Sequence, residues 1–361
     1  MIFFYDWFAF KLTSRMGEFD IIDKIRREIL INDPKVIKGI GDDCAVIDRG
    51  DFFELVGTDM LVENDHFHLH WSTPEQIGIK AMNSNISDVA AMGGRVKYAF
   101  ISICVSESVD EEWISRVYDS FNIISKDNDF LILGGDITHG ENVIINICLI
   151  GEVERNLCCF RHGAKINDII CVTGNLGGSA AGLYLLQNSP FLRNLVRVKE
   201  NYRMNSIIEE AEELQIEEEL YKKGMLYALN KHIEPSCRII EGKIIAKFAN
   251  SLIDVSDGLG SEIRHIIEES GKGARIYANQ VPINKMLYDV SRDPMPFAMS
   301  GGEDFELVFT IAREKIPLLK EQLVEIGTEI FEVGKIVEES EGVKFIENGR
   351  EVEMPRGFEH L

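Results

Sequence analysis

Apolar positions recur at helical spacing in "EFDIIDKIRREIL" (18–30), which predicts an amphipathic helix. "DFFELVGTDMLV" (51–62) reads as a strand ending near Thr58 and Asp59. "PEQIGIKAMNSNISDVAAMGG" (74–94) predicts a helix that Pro74 opens and Gly93-Gly94 closes. The β-branched and aromatic run "VKYAFISICV" (96–105) predicts a strand, and 110–128 a second amphipathic helix. Strands are expected over 130–136 and 142–153. Strands and helices mix without strict alternation, so the fold class is α+β, built of layered α/β units.

A fresh start follows with "DIICVTGNLGGSAAGLYLL" (168–186), read as strand, glycine turn and helix. It lacks the Gly-Lys-Ser/Thr of a P-loop and the Gly-x-Gly-x-x-Gly of a dinucleotide fold, so its glycines serve the turn and close packing. Residues 188–235 are polar and helical, and their charge run reads as a solvated face. A helix over 237–249, the stretch "SLIDVSDGLGSEIRHIIEES" (251–270), and a closing set of strands and helices complete the pass. The length of 361 residues suits two domains. Residues 1–16 are expected to be an extension, 17–154 an N-terminal domain, and 155–361 a C-terminal domain with a helical insertion near 188–235. The aromatic start "MIFFYDWFAFKLTSR" is too short to span a bilayer and Asp6 interrupts it, so no membrane partner is expected.

Charge narrows the function. With 60 acidic and 38 basic residues the net charge is −22, which repels nucleic acid and anionic lipid. Seven cysteines, none in a Cys-x-x-Cys pair, fit reduced thiols in a cytoplasmic protein.

The acids are not evenly spread. "GIGDDCAVID" (39–48) places Asp42 and Asp43 side by side on a tight turn. Five further glycine- or serine-flanked acidic stretches follow: "GTDMLVEND" (57–65), "NSNISD" (83–88), "LGGDITHGE" (133–141), "IDVSDGLG" (253–260) and "SGGEDFE" (300–306). Any one of them reads equally as a turn or helix cap. Together they share residue types and contain no lysine or arginine. Buried carboxylates without cationic partners are costly, and hard divalent cations would neutralise them. Mg²⁺ shared between scattered carboxylates and phosphate oxygens suits this pattern, which points to a multi-metal site for a nucleoside triphosphate.

"GIGDDCAVID", "TDMLVENDHF", "NISDVAAMGG", "LGGDIT", "IDVSDGL" and "SGGEDFEL" occur in the order found in thiamine-monophosphate kinases. The chain from about Glu18 onward resembles that family, which shares a superfamily with aminoimidazole ribonucleotide and selenophosphate synthetases. The resemblance implies phosphorylation of thiamine monophosphate by ATP, with direct in-line transfer assisted by several Mg²⁺ ions. It implies a homodimer whose N-terminal domains pair into a β-barrel-like core, and a C-terminal mixed sheet flanked by helices. Carried over by motif, Asp43, Thr58, Asp59, Asp88, Asp136, Asp254 and Asp257 would be metal ligands. Asp59, Asp88, Asp136 and Asp257 would be those on which catalysis depends. Gly135, Asp136, Arg161 and Ser256 would contact ATP. His66 and Glu303 would contact thiamine monophosphate, and Phe358 in "GFEH" would stack on its ring.

Two departures stand out. Gly57 replaces a serine common in the family, and "END" precedes His66 where a glycine-containing loop is usual. Three other readings compete. His66, His68 and His70 alternate in "HFHLH", so on a strand they would share a face and could hold zinc. A selenophosphate or aminoimidazole ribonucleotide synthetase activity is a second reading; a selenophosphate synthetase would call for a reactive cysteine in the first forty residues, and none is there. The third is a non-catalytic acidic module that only binds metal.

Overall fold

A computed structural model describes residues 17–190, 192–193 and 223–355. The first part opens with helix α1 (Glu18–Glu28) and the short strands β1 (Val36–Lys38) and β2 (Ala45–Asp48). Strand β3 (Phe52–Val62), helix α2 (Pro74–Ala91), strand β4 (Arg95–Val105), helix α3 (Glu111–Asp127) and strands β5 (Leu131–His139) and β6 (Ile144–Glu154) follow. The strands form one six-stranded sheet in the order β1-β2-β3-β6-β4-β5. Only β4 and β5 run parallel, because helix α3 supplies the crossover between them. This sheet is open rather than a closed barrel, since β1 and β5 lie at opposite edges.

The strand expected to stop near Thr58 and Asp59 continues to Val62. It pairs with β6 without interruption from Phe52↔Glu154 to Val62↔Ile144. The acidic motif is therefore carried on a rigid ladder and not on a loop.

Helix α2 begins as the sequence suggests. The Gln76 amide donates to Thr73 Oγ1 at 3.3 Å, and the Thr73 amide donates to Gln76 Oε1 at 2.9 Å. Its burial on nearly all sides follows from its place, packed against α3, β3, β6 and the strand Ser251–Asp254 of a second sheet. Helix α3 is capped by Asp110, whose carboxylate accepts from the Trp113 amide at 2.9 Å. Ile101, Ile103, Ile145, Ile147 and Leu149 turn inward beneath these helices. The opposite sheet face leaves Met60, Phe100, Leu131, Leu133 and Ile137 exposed.

The second part contains β7 (Ile169–Thr173), α4 (Gly178–Asn188), α5 (Lys223–Ile233), α6 (Ile239–Ile245), β8 (Ser251–Asp254), α7 (Leu259–Ser270) and β9 (Gly273–Tyr277). It ends with α8 (Met295–Ser300), β10 (Leu307–Ile311), α9 (Ile316–Val324), β11 (Ile330–Val337), β12 (Val343–Glu347) and β13 (Arg350–Val352). Its seven strands form a mixed sheet in the order β13-β12-β9-β11-β7-β10-β8. The central strands β7 and β10 are buried on both faces, as their unbroken apolar runs require.

Two other expectations need correction. The charge run predicts a solvated face through residue 235. Residues 194–222 lie outside the described chain, but α5 buries Leu226, Ala228, Leu229 and Ile233 against α4. Residues 66–70 form turns and an isolated bridge rather than a strand, so the three histidines do not share a sheet face. His68 instead packs against Trp71, with ring centroids 4.0 Å apart.

Candidate active site

Three carboxylates from three distant segments meet where the two sheets approach each other. Asp43 comes from the β1–β2 turn, Asp88 from the last turn of α2, and Asp254 from the end of β8. One oxygen of each lies within 4.8 Å of the others. Burial raises all three carboxyl pKa values. Asp254 is pushed to about 7, by burial first and then by Asp43. Asp88 is raised well above its usual range by burial, then by Asp254 and Asp59. Ser87 Oγ donates to Asp254 Oδ2 at 2.6 Å and aims that side chain. The amide of Asp59 donates to Asn85 Oδ1 at 3.0 Å, which ties β3 to α2 beside the cluster.

The cluster extends on both sides. Burial and Asp43 together push the Asp42 carboxyl to about 7. Glu262, buried in the first turn of α7, accepts the Asp257 amide at 2.9 Å, and its own carboxyl is raised by burial and by Asp257 and Asp254. The sequence motifs do not single out Glu262. Its signal was an acid five positions after Asp257, where the following helix turns back to the loop.

The expectation that these acids lack cationic partners is wrong for part of the cluster. The cations come from outside the motifs. Arg161 donates through Nε at 3.0 Å and through Nη2 at 2.6 Å, both to Asp43 Oδ1. Its amide donates to Asp42 Oδ1 at 3.1 Å. Lys38 Nζ lies 3.5 Å from Asp42 Oδ2. Asp43 Oδ2 is nevertheless buried and accepts no hydrogen bond. An orphaned oxygen beside two more converging carboxylates fits a divalent cation.

Gly57 faces this cluster from β3. A Cβ there would lie 3.1 Å from Cys44 Sγ and 3.8 Å from Asp88 Oδ2. The buried thiol thus fills the space that a side chain at position 57 would enter.

Not every expected ligand joins the group. Thr58 Oγ1 is exposed and donates to Asn146 Oδ1 at 3.3 Å. Asp136 lies on edge strand β5, where it accepts the Ile137 amide at 2.9 Å, outside the three-carboxylate group. Gly135 has a packing reason to be glycine, because an added Cβ would sit 1.6 Å from the Ile101 carbonyl oxygen. Phe358 lies outside the described residues.

A cavity of about 330 Å³ opens next to the acids. Its walls include His66, Tyr184, Ser256, Asp257, Phe297 and Glu303. Tyr184 and Phe297 stand with ring centroids 5.8 Å apart. His66 Nδ1 accepts the Val62 amide at 3.1 Å, which leaves its proton on Nε2. Glu303 stays ionised: its carboxyl is held well below the usual range by Lys80, then by His232, against the effect of burial.

The glycine turn before α4 offers no phosphate cradle. The amides of Gly177 and Ser179 donate to the buried Asp304 carboxylate at 2.6 and 3.1 Å. The anion that a helix N-terminus attracts is supplied from within the chain.

Residues 41–153 match the family described as AIR synthase related protein, N-terminal domain. A thiamine-monophosphate kinase of Buchnera aphidicola subsp. Acyrthosiphon pisum is 34% identical over 95% of this chain and 98% of its own. That of Bacillus subtilis is 34% identical over 90% of this chain and 93% of its own. The solved structure of AaThiL complexed with AMPPCP and TMP superposes with a TM-score of 0.76 at 31% identity, covering 97% of this chain and all of that one. With identity of this level over nearly the whole chain, the chain belongs to the thiamine-monophosphate kinase family.

Proposed function

We propose that the protein transfers a phosphoryl group from ATP to thiamine monophosphate, giving thiamine diphosphate and ADP. One observation carries this reading. The buried carboxylates Asp43, Asp88 and Asp254 adjoin a cavity that combines aromatic walls with the acids Asp257 and Glu303. The similar AaThiL was solved with AMPPCP, an ATP analogue, and TMP.

The chemistry suits both halves of the site. The acceptor phosphate is largely dianionic at neutral pH, because its second pKa is about 6, so no general base is required. The barrier is repulsion between two anions. Mg²⁺, when bound by Asp43, Asp88 and Asp254 with Asp59 and Asp257 beside them, supplies electrostatic stabilisation of the transferring phosphoryl group. Arg161 would turn from Asp43 towards the nucleotide phosphates once that carboxylate has another cation. In the cavity, Glu303 and Asp257 attract the positively charged thiazolium ring, and Tyr184 and Phe297 present aromatic faces to it.

The remaining expectations fit the same frame. Residues 17–154 would form the nucleotide-binding and dimerising domain, and 155–361 the second domain. The exposed apolar face with Phe100, Leu131, Leu133 and Ile137 suits burial against a second copy in a homodimer. Among the described residues no helix is long and apolar enough to cross a membrane. A cytoplasmic enzyme accords with seven free cysteines.

The test is ADP release from Mg·ATP with and without thiamine monophosphate, with chromatography of the thiamine products. Thiamine diphosphate is expected to form in step with ADP. Turnover that ignores thiamine monophosphate, in folded protein, overturns the assignment of the acceptor.

A further inference from the structure

Behind the cavity wall lies a buried cation that the chemistry above does not use. Lys80 projects from α2, is 3% exposed, and does not line the cavity. Its Nζ donates to the His66 carbonyl oxygen at 2.8 Å and to Glu303 Oε2 at 2.8 Å, with Glu303 Oε1 at 2.7 Å. The ammonium is thus shared between a backbone carbonyl and both oxygens of one carboxylate. One acceptor belongs to the turn after β3, the others to the loop before β10.

Both acceptors are cavity residues, and one of them is held in an unusual backbone. Glu303 has φ of 65°, a conformation side-chain-bearing residues rarely adopt. Its amide donates to Ser256 O at 2.8 Å, so the Glu303 loop is coupled to the Asp254–Asp257 loop. His232 Nδ1 completes the arrangement, 3.1 Å from Ser179 Oγ and 3.4 Å from Glu303 Oε2.

We propose that Lys80 is a positioning residue for the thiamine side of the site. It orients the Glu303 carboxylate and the His66 turn together, and so joins the two walls of the cavity. The proposal rests on the substrate reading above. It follows that losing Lys80 weakens capture of thiamine monophosphate while sparing ATP.

The experiment uses the full-length protein and four forms: wild type, Lys80→Met, Glu303→Gln and the double variant. Wild-type turnover tests the substrate reading by itself. For Lys80→Met, KM for thiamine monophosphate is expected to rise about tenfold or more, as loss of a charge-assisted hydrogen bond implies, with KM for ATP within about twofold. Amide exchange without ligand should quicken in both 64–68 and 300–305. If Lys80 acts through Glu303, Lys80→Met adds little in the Glu303→Gln background. A lower kcat with unchanged KM and unchanged exchange means a structural role and overturns the proposal. So do fully additive effects. If Lys80→Met fails to fold, the double variant against Glu303→Gln decides: near-equal KM supports the proposal, and a further tenfold rise refutes it. If wild type shows no thiamine-dependent turnover, the substrate reading falls and exchange alone judges Lys80. Faster exchange in both segments then sustains its positioning role, and unchanged exchange refutes it.

Discussion

Asp254→Asn should make the metal-free protein more stable and deaf to Mg²⁺. Asp254 is 2% exposed, and its carboxyl is pushed from 3.8 to about 7, mostly by burial. The folded chain therefore binds this proton more tightly than the unfolded chain. Stability is full below pH 3.8, falls as pH rises, and the whole penalty is present above about pH 7. A shift of 7 − 3.8 = 3.2 units at about 1.36 kcal/mol per unit is about 4 kcal/mol at pH 8. An asparagine removes the charge but accepts a weaker bond from Ser87, which gives back about 1–2 kcal/mol. The net gain is about 2–3 kcal/mol. Unfolding entropy of about 2.1 cal/mol/K per residue over 361 residues converts this to about 3–4 °C. The assay is thermal unfolding in chelator at pH 8 and again at pH 4, where the folded carboxyl is protonated and the variant should be level with wild type or slightly less stable. Adding Mg²⁺ at pH 8 should raise the wild-type Tm and leave the variant almost unmoved. A variant that melts at or below wild type in chelator at pH 8 would refute the view that these carboxylates are held together against their own repulsion.

Two further outcomes follow from neighbouring contacts. Gly57→Ser should cost about 1 kcal/mol because its Cβ crowds Cys44 Sγ, and adding Cys44→Ala should restore the loss, read as paired Tm values. At pH 5, where burial keeps its carboxyl protonated, Asp304→Ala should lower stability by about 2 kcal/mol, near 3 °C in Tm, because two amides at the start of α4 lose their buried acceptor; the loss should shrink as pH rises through about 7 and wild type must bury the charge.

Much of this was legible before any coordinates. The periodicities of 74–94 and 96–105 became α2 and β4 almost as read, because local pattern and tertiary burial agree there. "HFHLH" misled for the opposite reason. Alternation alone suggests a strand, yet the Val62 amide donates to His66 Nδ1 and the chain turns immediately after β3. The strand that continued past Asp59 did so because β6 offers it a partner at every residue to Val62. Windows of sequence carry no information about partners.

The sequence by itself determined that acids recur in six glycine- or serine-flanked stretches of one acidic chain and so call for a neutralising cation. It also determined the family, because the motifs keep their order. Only the tertiary structure decided which acids meet. Asp43, Asp88 and Asp254 are far apart in the chain and converge because α2 packs against both β3 and β8. It decided too that Arg161 and Lys80, lying outside those stretches, supply the compensating charge. The physical reason is range. Turn and helix preferences act over a few residues, whereas burial and Coulomb interaction act through space between segments that only folding brings together.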